Sequence, residues 1–185
     1  MTYNDVNQII QILGLVPLPV EGGLYKQTYR STEEIPAAGL PERYRGTGDA
    51  QKPLGTAILY LLTNEPAGGD LPAGDLAAFS AFHRLKTDEI FHFYLGDPLE
   101  MTLLFLDGSS RQVILGQDVL NGQQVQFVAP RSVWQGTRLL MGGRFALIGT
   151  TMAPGFTNED YEQGDRAALL AQYPHERERI LALTR

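Results

Sequence analysis

Apolar and polar residues alternate along most of the chain in short blocks, which is the pattern of β-strands. The block over residues 24–30 alternates, whereas the block over 56–63 is apolar on both faces, as expected of a buried strand. After residue 78, similar blocks follow closely at 79–85, 89–95, 99–106, 111–115, 124–129, 134–140 and 144–152. Glycine turns separate several of them, namely Asp107-Gly108, Asn121-Gly122 and Gly142-Gly143. The pattern predicts an all-β antiparallel sandwich or barrel in which Asn121-Gly122 closes a hairpin.

Helical spacing of apolar residues is confined to the two ends of the chain. It predicts an N-terminal helix over residues 4–13 and a C-terminal helical tail over 157–185 that is divided at Pro174. The segments 33–53 and 64–75, which are rich in glycine and proline, are predicted to be surface loops. We therefore expect a single domain over residues 1–185, with the barrel over about 20–153 and short helices at both ends.

Composition and charge exclude several classes of function. The 185 residues include no cysteine, so disulfides, thiolate catalysis and cysteine-ligated metals are excluded. The net charge is −6 and no basic run is present, which argues against partners such as nucleic acid or a membrane surface. The first nine residues carry no lysine or arginine, so a signal peptide is not expected. These observations predict a cytoplasmic protein.

The stretch from residue 82 to residue 99 holds the densest group of chemically active side chains, His83, Glu89 and His92. Side chains alternate between the two faces of a strand. This alternation places His83 with Phe79, Ala81 and Leu85, and places Glu89 with Phe91, Phe93 and Leu95. His92 is expected on the opposite face of its strand, where it packs against other parts of the protein or a partner subunit.

The same stretch resembles the first motif of the cupin superfamily, which reads His-x-His, three or four residues, Glu, six residues, Gly. His83, Glu89 and Gly96 match this motif, and Leu85 stands in the position of the second histidine. The second cupin motif reads Gly, five residues, Pro-x-Gly, two residues, His. It is matched loosely after Gly122, with Gln135 in place of the histidine.

A wider set of segments is similar to the cupin-5 family, which consists of single-domain cupins of largely unassigned function. The segments are Glu21-Gly22-Gly23, Phe82-His83-Arg84, Asp88 to Phe93, Gly96 to Leu99, Trp134-Gln135-Gly136, Ala153 to Phe156 and Tyr173-Pro174. The resemblance implies a cupin jelly-roll β-barrel, often dimeric, with a ligand pocket inside the barrel.

Metal binding is one interpretation of this site. Metal-binding cupins usually present three histidines and one glutamate, and this chain keeps His83 and Glu89 of that set. Gln135 offers an amide oxygen, which binds hard ions weakly. No cofactor is therefore expected, and the alternative is a weakly bound divalent metal ion held by His83, Glu89 and Gln135.

Metal-free proton transfer is a second interpretation. The unperturbed pKa of histidine lies near 6.5, so His83 is suited to act as a general base, with Glu89 fixing its tautomer. Cupin-like sugar-nucleotide epimerases pair a histidine base with a tyrosine acid, and the candidates for the acid in this chain are Tyr25, Tyr29 and Tyr60.

We therefore predict that the barrel binds a small polar molecule above His83, Glu89 and Gln135. Further ligand-binding candidates are Tyr25, Tyr60, Lys26 and Trp134. The sequence does not decide whether the protein is an enzyme. Three alternatives remain: an isomerase or epimerase acting on a sugar-like substrate, a weakly metal-dependent enzyme, and a non-catalytic binding or structural dimer. The third predicts a pocket plugged by Phe91, Phe93 and Leu85.

The strands over 56–62 and 89–95 carry apolar residues on both faces. In an isolated barrel the outer face of each strand is exposed to water. The apolar residues on that face must therefore be buried by helices or by a second chain. We expect a homodimer.

Overall fold

A computed structural model describes residues 3–44, 51–64 and 78–185 of the protein. The strands of the first half are β1 (Val16–Pro17), β2 (Leu24–Arg30), β3 (Glu34–Ile35), β4 (Lys52–Pro53), β5 (Thr56–Thr63), β6 (Phe79–Arg84) and β7 (Glu89–Gly96). Those of the second half are β8 (Leu99–Leu104), β9 (Ser110–Leu115), β10 (Gln126–Ala129), β11 (Trp134–Leu139), β12 (Phe145–Met152) and β13 (Glu162–Gln163). The α-helices are α1 (Tyr3–Leu13), α2 (Arg166–Gln172) and α3 (Arg177–Ala182).

Two antiparallel sheets form the body of the fold. One has six strands in the order β1-β2-β5-β12-β7-β10, and the other has five in the order β13-β6-β11-β8-β9. Consecutive strands repeatedly change sheets, as at the β6–β7 and β11–β12 connections, which is the connectivity of a jelly roll. The predicted all-β jelly-roll fold is therefore confirmed.

The main core lies between the two sheets. It is built from the inward residues of strands in both sheets, among them Tyr60, Phe91, Phe93, Met101, Leu103 and Ile148. These residues sit at alternating strand positions, so the alternation read from the sequence directs them to one side. Burial of this apolar surface is the main favourable contribution to folding.

Helices cover the outer faces of both sheets. Val6 and Ile10 of α1 pack on Leu61 and Leu147 of the six-stranded sheet. The C-terminal segment packs on the five-stranded sheet through a separate cluster that includes Leu169, Tyr173, Ile180, Leu183, Phe82 and Trp134. No described helix is long and apolar enough to cross a bilayer.

Two β-bulges change the faces expected from simple alternation. In β7 the pairing moves from Leu147–Leu95 to Ile148–Phe93, which leaves Tyr94 as an extra residue. Leu95 therefore faces α1 rather than the barrel interior, so its predicted place beside Glu89 is wrong. In β6 a similar shift opposite β11 sends Phe79 outward against the C-terminal cluster, so its predicted place beside His83 is also wrong.

The predicted hairpin at Asn121-Gly122 is a second correction. Strand β9 pairs with β8 in the five-stranded sheet, whereas β10 pairs with β7 in the six-stranded sheet. The connection contains a 3₁₀ turn over Val119–Asn121, and Gly122 ends it at a φ of 86°. The Asn-Gly pair thus lies in a connection that crosses from one sheet to the other. Tertiary packing, rather than the turn, determines the partner of β10.

The two predicted surface loops lie partly outside the described residues. Of segment 33–53, residues 45–50 are outside them, and the rest contains β3, β4 and 3₁₀ turns at Ala37–Gly39 and Glu42–Tyr44. Of segment 64–75, only Asn64 is described.

Gly96 is the last residue of β7, and its substitution tests how closely the turn after this strand is packed. Its φ is 104°, and a methyl group at this position would overlap the carbonyl oxygen of Phe145. We expect Gly96→Ala to lower the free energy of unfolding by about 3 kcal/mol, measured by urea denaturation. Gly108→Ala is the control, since its φ is 87° with open space around it, and about 1 kcal/mol is expected from backbone strain alone. Equal losses in both variants would show that the contact with Phe145 is not the cause.

Candidate functional site

A cavity of about 700 Å³ opens between the two sheets. Its walls come from inward residues of β2, β5, β7, β12 and β6, and from the segments 18–21 and 156–161. The polar and charged lining residues are Glu21, Tyr25, Gln27, Arg30, Thr56, His83, Glu89, Thr150, Thr157, Asn158, Glu159 and Tyr161. A volume of this size suits a small organic ligand.

His83 lies on β6 at the cavity wall and is 3% exposed. Its Nδ1 lies 2.8 Å from the carbonyl oxygen of Ala81, which can only accept a hydrogen bond, so Nδ1 carries the proton. In the neutral ring this leaves the lone pair on Nε2, and the Nε2 of Gln135 donates to it at 3.0 Å. Backbone and side-chain partners thus set both the tautomer and the orientation of the ring.

Gln135 joins His83 to Glu89 across the barrel. Its amide nitrogen also donates to Oε2 of Glu89 at 2.6 Å, so both amide hydrogens are used. Gln135 and His83 belong to the five-stranded sheet and Glu89 to the six-stranded sheet, so this amide links the two sheets inside the core. Its buried Oε1 has no hydrogen-bond partner among the described residues.

Glu89 is a buried carboxyl group at the cavity wall. Burial raises its pKa above the ordinary value, and the negative charge of Glu21 adds to that effect. The positive charge of His83 and hydrogen bonds from Thr150 and Gln135 oppose the increase in pKa. Burial dominates, so Glu89 holds its proton to higher pH than an exposed glutamate.

Glu21 is a cavity carboxyl group that the sequence reasoning did not identify as a site residue. It accepts a hydrogen bond from Oγ of Ser80 at 2.9 Å, and its backbone oxygen accepts from Ala81 at 2.7 Å. The bend that places it there uses positive φ angles at Gly22 and Gly23. The Glu21-Gly22-Gly23 segment is part of the resemblance to the cupin-5 family, and this resemblance is the signal in the sequence that points to Glu21.

The predicted tyrosines lie in different environments. Tyr25 lines the cavity. Tyr60 lies in the core, where its hydroxyl donates to the backbone oxygen of Gly22 at 2.8 Å, and burial raises its pKa well above the ordinary value. It is not among the residues that line the cavity. Tyr29 is 55% exposed and does not line the cavity either.

Tyr161, which was not among the predicted site residues, lies directly against His83. The two rings stack with centroids 5.3 Å apart, and Tyr161 lines the cavity. Its hydroxyl is buried and has no hydrogen-bond partner within the described part of the chain. Burial, followed by the charge of Glu21, raises its pKa, so the phenol stays protonated and able to donate. No spacing rule links residue 161 to the motif near residue 83, so sequence reasoning had no signal for it.

A buried ion pair anchors the segment that carries Tyr161. Nζ of Lys52 pairs with Asp160, and both side chains are 3% exposed. Asp160 also accepts from the backbone nitrogen of Thr157 at 2.9 Å and closes a capping box. These contacts fix residues 157–160 over the cavity and hold Tyr161 in place beside His83.

Of the predicted ligand-binding residues, Tyr25 lines the cavity, Gln135 and Tyr60 are buried and do not line it, and two others lie away from it. Trp134 packs with the C-terminal cluster on the outer face of its sheet, where the guanidinium of Arg84 lies 4.4 Å from its ring centre. Lys26 is exposed, and neither residue lines the cavity. Alternation along β2 and β11 directs both side chains away from the interior, because the inward positions belong to Tyr25 and Gln135.

His92 lies on the outer face of the six-stranded sheet, as alternation predicts. Gln126 donates to its Nδ1 at 3.2 Å, which leaves Nε2 to donate to Oγ1 of Thr151 at 3.0 Å. Its ring also stacks on Tyr94. Its position separates it from His83 and Glu89.

The alternative of a weakly bound metal ion would use His83, Glu89 and Gln135. Gln135 presents its amide nitrogen to both neighbours, and the hydrogens on that nitrogen repel a cation. Two ligating side chains remain, and the described residues hold no group of three or more His, Cys, Asp or Glu suited to a metal ion. The three side chains as arranged do not fit a bound metal ion.

Comparison with known proteins gives a consistent family match. The family model described as "Cupin superfamily (DUF985)" matches residues 7–164. "Uncharacterized protein YML079W" of Saccharomyces cerevisiae is 31% identical over 151 residues, which cover 76% of this chain and 66% of the yeast protein. The matched region thus spans slightly less than two thirds of that relative.

Two solved structures are similar over almost their whole length. Protein SO0799 from Shewanella oneidensis has a TM-score of 0.76 at 29% identity, covering 97% of this chain and 96% of that one. A hypothetical protein from Leishmania major has a TM-score of 0.76 at 25% identity, covering 95% and 96%.

The raised pKa of Glu89 predicts a pH dependence of stability. Above pH 4.5, its ordinary pKa, the unfolded chain releases this proton while the folded protein still holds it, so stability falls as pH rises toward the raised pKa. Glu89→Gln removes that effect. We expect the variant to match the wild type near pH 4 and to become progressively more stable than the wild type as the pH rises to 8, measured by urea denaturation.

Glu178→Gln serves as the control, because it removes an exposed carboxyl group far from the cavity. Parallel pH profiles for the wild type and Glu89→Gln would contradict the assignment.

Proposed function

Since the chain belongs to the family described as Cupin superfamily (DUF985), we propose that its barrel binds a small polar, sugar-like molecule and isomerises or epimerises it without a metal ion. One observation carries the proposal: the rings of His83 and Tyr161 both line the cavity and stack with their centroids 5.3 Å apart. Neutral His83 has its lone pair on Nε2, and the hydroxyl of Tyr161 has no hydrogen-bond partner among the described residues.

In the proposed reaction, His83 removes a proton from a carbon beside a carbonyl group of the ligand. The electrons of that C–H bond move toward the carbonyl oxygen, and Tyr161 donates a hydrogen bond to this oxygen as its negative charge develops. Return of the proton to the former carbonyl carbon, while the hydroxyl proton of the first carbon passes to the former carbonyl oxygen, gives an isomer. Delivery of a proton to the other face of the first carbon, with the carbonyl group restored, gives an epimer. Tyr161 takes the place in this scheme for which Tyr25, Tyr29 and Tyr60 were candidates.

Gln135 and Glu89 position the base in this proposal. Gln135 donates to the same lone pair of His83, so proton transfer requires the amide to release Nε2 while it keeps its bond to Glu89. When His83 gains a proton, the nearby carboxylate of Glu89 stabilises the imidazolium.

Glu89 itself is a second candidate for the base. Its carboxyl group lines the cavity, and burial raises its pKa toward the range in which a carboxylate removes protons effectively. A third candidate function is ligand binding without chemistry. Phe91 and Phe93 lie in the core below the cavity, and the space above them supports binding of a ligand in either case.

Deuterium exchange distinguishes these candidates. The protein is incubated in D2O with a panel of aldoses, ketoses and sugar acids, and loss of C–H signals is followed by NMR. We expect exchange with the wild type and a loss of about 100-fold or more in His83→Gln. His92→Gln is the matched control, since His92 lies on the outer face, and it should exchange like the wild type.

Other outcomes of the exchange experiment would support the other two candidates. Loss of exchange in Glu89→Gln, with exchange retained in His83→Gln, would make Glu89 the base. Binding in the cavity without exchange of any C–H would contradict the catalytic proposal and leave a binding protein. Thermal denaturation of each variant checks that it is folded.

We also propose that the protein is a homodimer that pairs through the outer face of the six-stranded sheet. Helix α1 covers one part of this face, but Val128 on the edge strand is 47% exposed and Tyr94 is 44% exposed. Ile90 and His92 lie between them on the same face and are half-buried. Pairing of two such faces would remove this apolar surface from water.

A charge placed on this face tests the dimer. Val128→Arg is expected to convert the dimer to monomer in sedimentation at micromolar concentration, because burial of an unpaired charge in an interface is unfavourable. Leu106→Arg introduces the same charge at an exposed position outside this face and should leave the dimer intact. A wild type that sediments only as a monomer would exclude the proposal.

A further inference from the structure

We propose that the ligand of the cavity is a small hydroxylated anion whose carboxylate or phosphate group binds Arg30. This inference rests on the proposed function, in which the cavity is the ligand site, and it adds the chemical class of the ligand and its direction of binding.

Arg30 and Glu89 lie on one row of the six-stranded sheet. Arg30 pairs with Thr56, Thr56 with Met152 and Met152 with Glu89, and all four residues line the cavity. Neighbouring strands are about 4.8 Å apart, so the two outer backbones of this row are separated by about 14 Å. The row therefore places a cationic side chain at one side of the cavity and a carboxyl group at the other.

Arg30 is the one lysine or arginine among the lining residues in the described part of the chain. Of the three lining carboxyl groups, that of Glu159 belongs to the segment 156–161, whereas that of Glu89 lies at the other side, where it interacts electrostatically with Glu21 and with His83. An anionic group on a ligand is repelled by these carboxylates and attracted by the guanidinium. The charge distribution thus sets the direction in which an anionic ligand enters.

The present contacts of Arg30 are long. One terminal nitrogen donates to Oε1 of Glu34 at 3.4 Å, and the other donates to the backbone oxygen of Phe156 at 3.4 Å. The pair with Glu34 is solvent-exposed, with side-chain exposures of 43% and 36%, and such pairs contribute little. A guanidinium has five N–H groups in a planar arrangement, which a carboxylate or phosphate engages through two parallel hydrogen bonds. A ligand anion can therefore displace Glu34.

The opposite side of the cavity favours hydroxyl groups. The carboxyl groups of Glu21 and Glu89 accept hydrogen bonds, and the buried hydroxyl of Tyr161 is available to donate one. A polyhydroxylated chain or ring with one anionic end matches both sides. Its anionic end lies at Arg30, and its hydroxylated end lies beside His83.

Calorimetric titration with matched probes tests this assignment. The probes are glucose, glucose 6-phosphate and gluconate, which separate the sugar, the phosphate and the carboxylate. We expect at least one of the two anions to bind the wild type about tenfold or more tightly than glucose. Arg30→Met should lower that affinity to the level of glucose, and Glu34→Gln should raise it, because it removes the competing carboxylate.

Arg177→Met is the matched control, since Arg177 is exposed on the C-terminal segment and should not affect binding. Backbone NMR shifts at His83 and Glu89 report whether a probe occupies the cavity. Equal binding of all three probes in the cavity, unchanged in Arg30→Met, would overturn the role of Arg30 and leave the proposed function standing. Binding with shifts only outside the cavity, or no binding by any probe, would overturn both.

Discussion

A single buried amide group connects the two sheets of this barrel at the cavity. Gln135 donates one hydrogen to His83 within its own sheet and the other to Glu89 on the facing sheet. An unsatisfied polar group at this depth is unfavourable, so each of the three side chains depends on the other two. A change in the orientation of His83 or in the protonation of Glu89 therefore affects how the two sheets pack against each other here.

The connection between β6 and β7 explains how a local motif produces this contact. His83 lies near the end of β6 in the five-stranded sheet. The chain then crosses to the six-stranded sheet, where Glu89 is the first residue of β7. Two residues that are close in sequence therefore face each other across the interior rather than lying along one strand. Gln135, on the strand next to His83, reaches the gap between them.

The rest of the cavity is assembled from distant segments. Glu21 arrives from the bend before β2, Arg30 from the end of β2, and Tyr161 from the segment that follows the barrel. The ion pair of Lys52 with Asp160 ties the last of these segments to β4 beneath the surface. Removal of either partner would leave the other charge buried and unpaired, at a cost of several kcal/mol, so the pair restricts the position of the segment that carries Tyr161. The chemistry of the site thus depends on long-range packing as much as on the central motif.

The sequence alone determined the longer strands and the direction of most of their side chains, because alternation and turn residues act over a few positions. The resemblance to the first cupin motif singled out His83 and Glu89. Sequence reasoning failed at the bulge near Tyr94, at the connection containing Gly122 and at the placement of Trp134. At these places the outcome depends on which strand or helix packs alongside, and local patterns carry no information about that. Only the tertiary structure brought Glu21, Arg30 and Tyr161 into the same cavity as His83, because contacts between residues so far apart in the chain are set by the packing of the whole barrel.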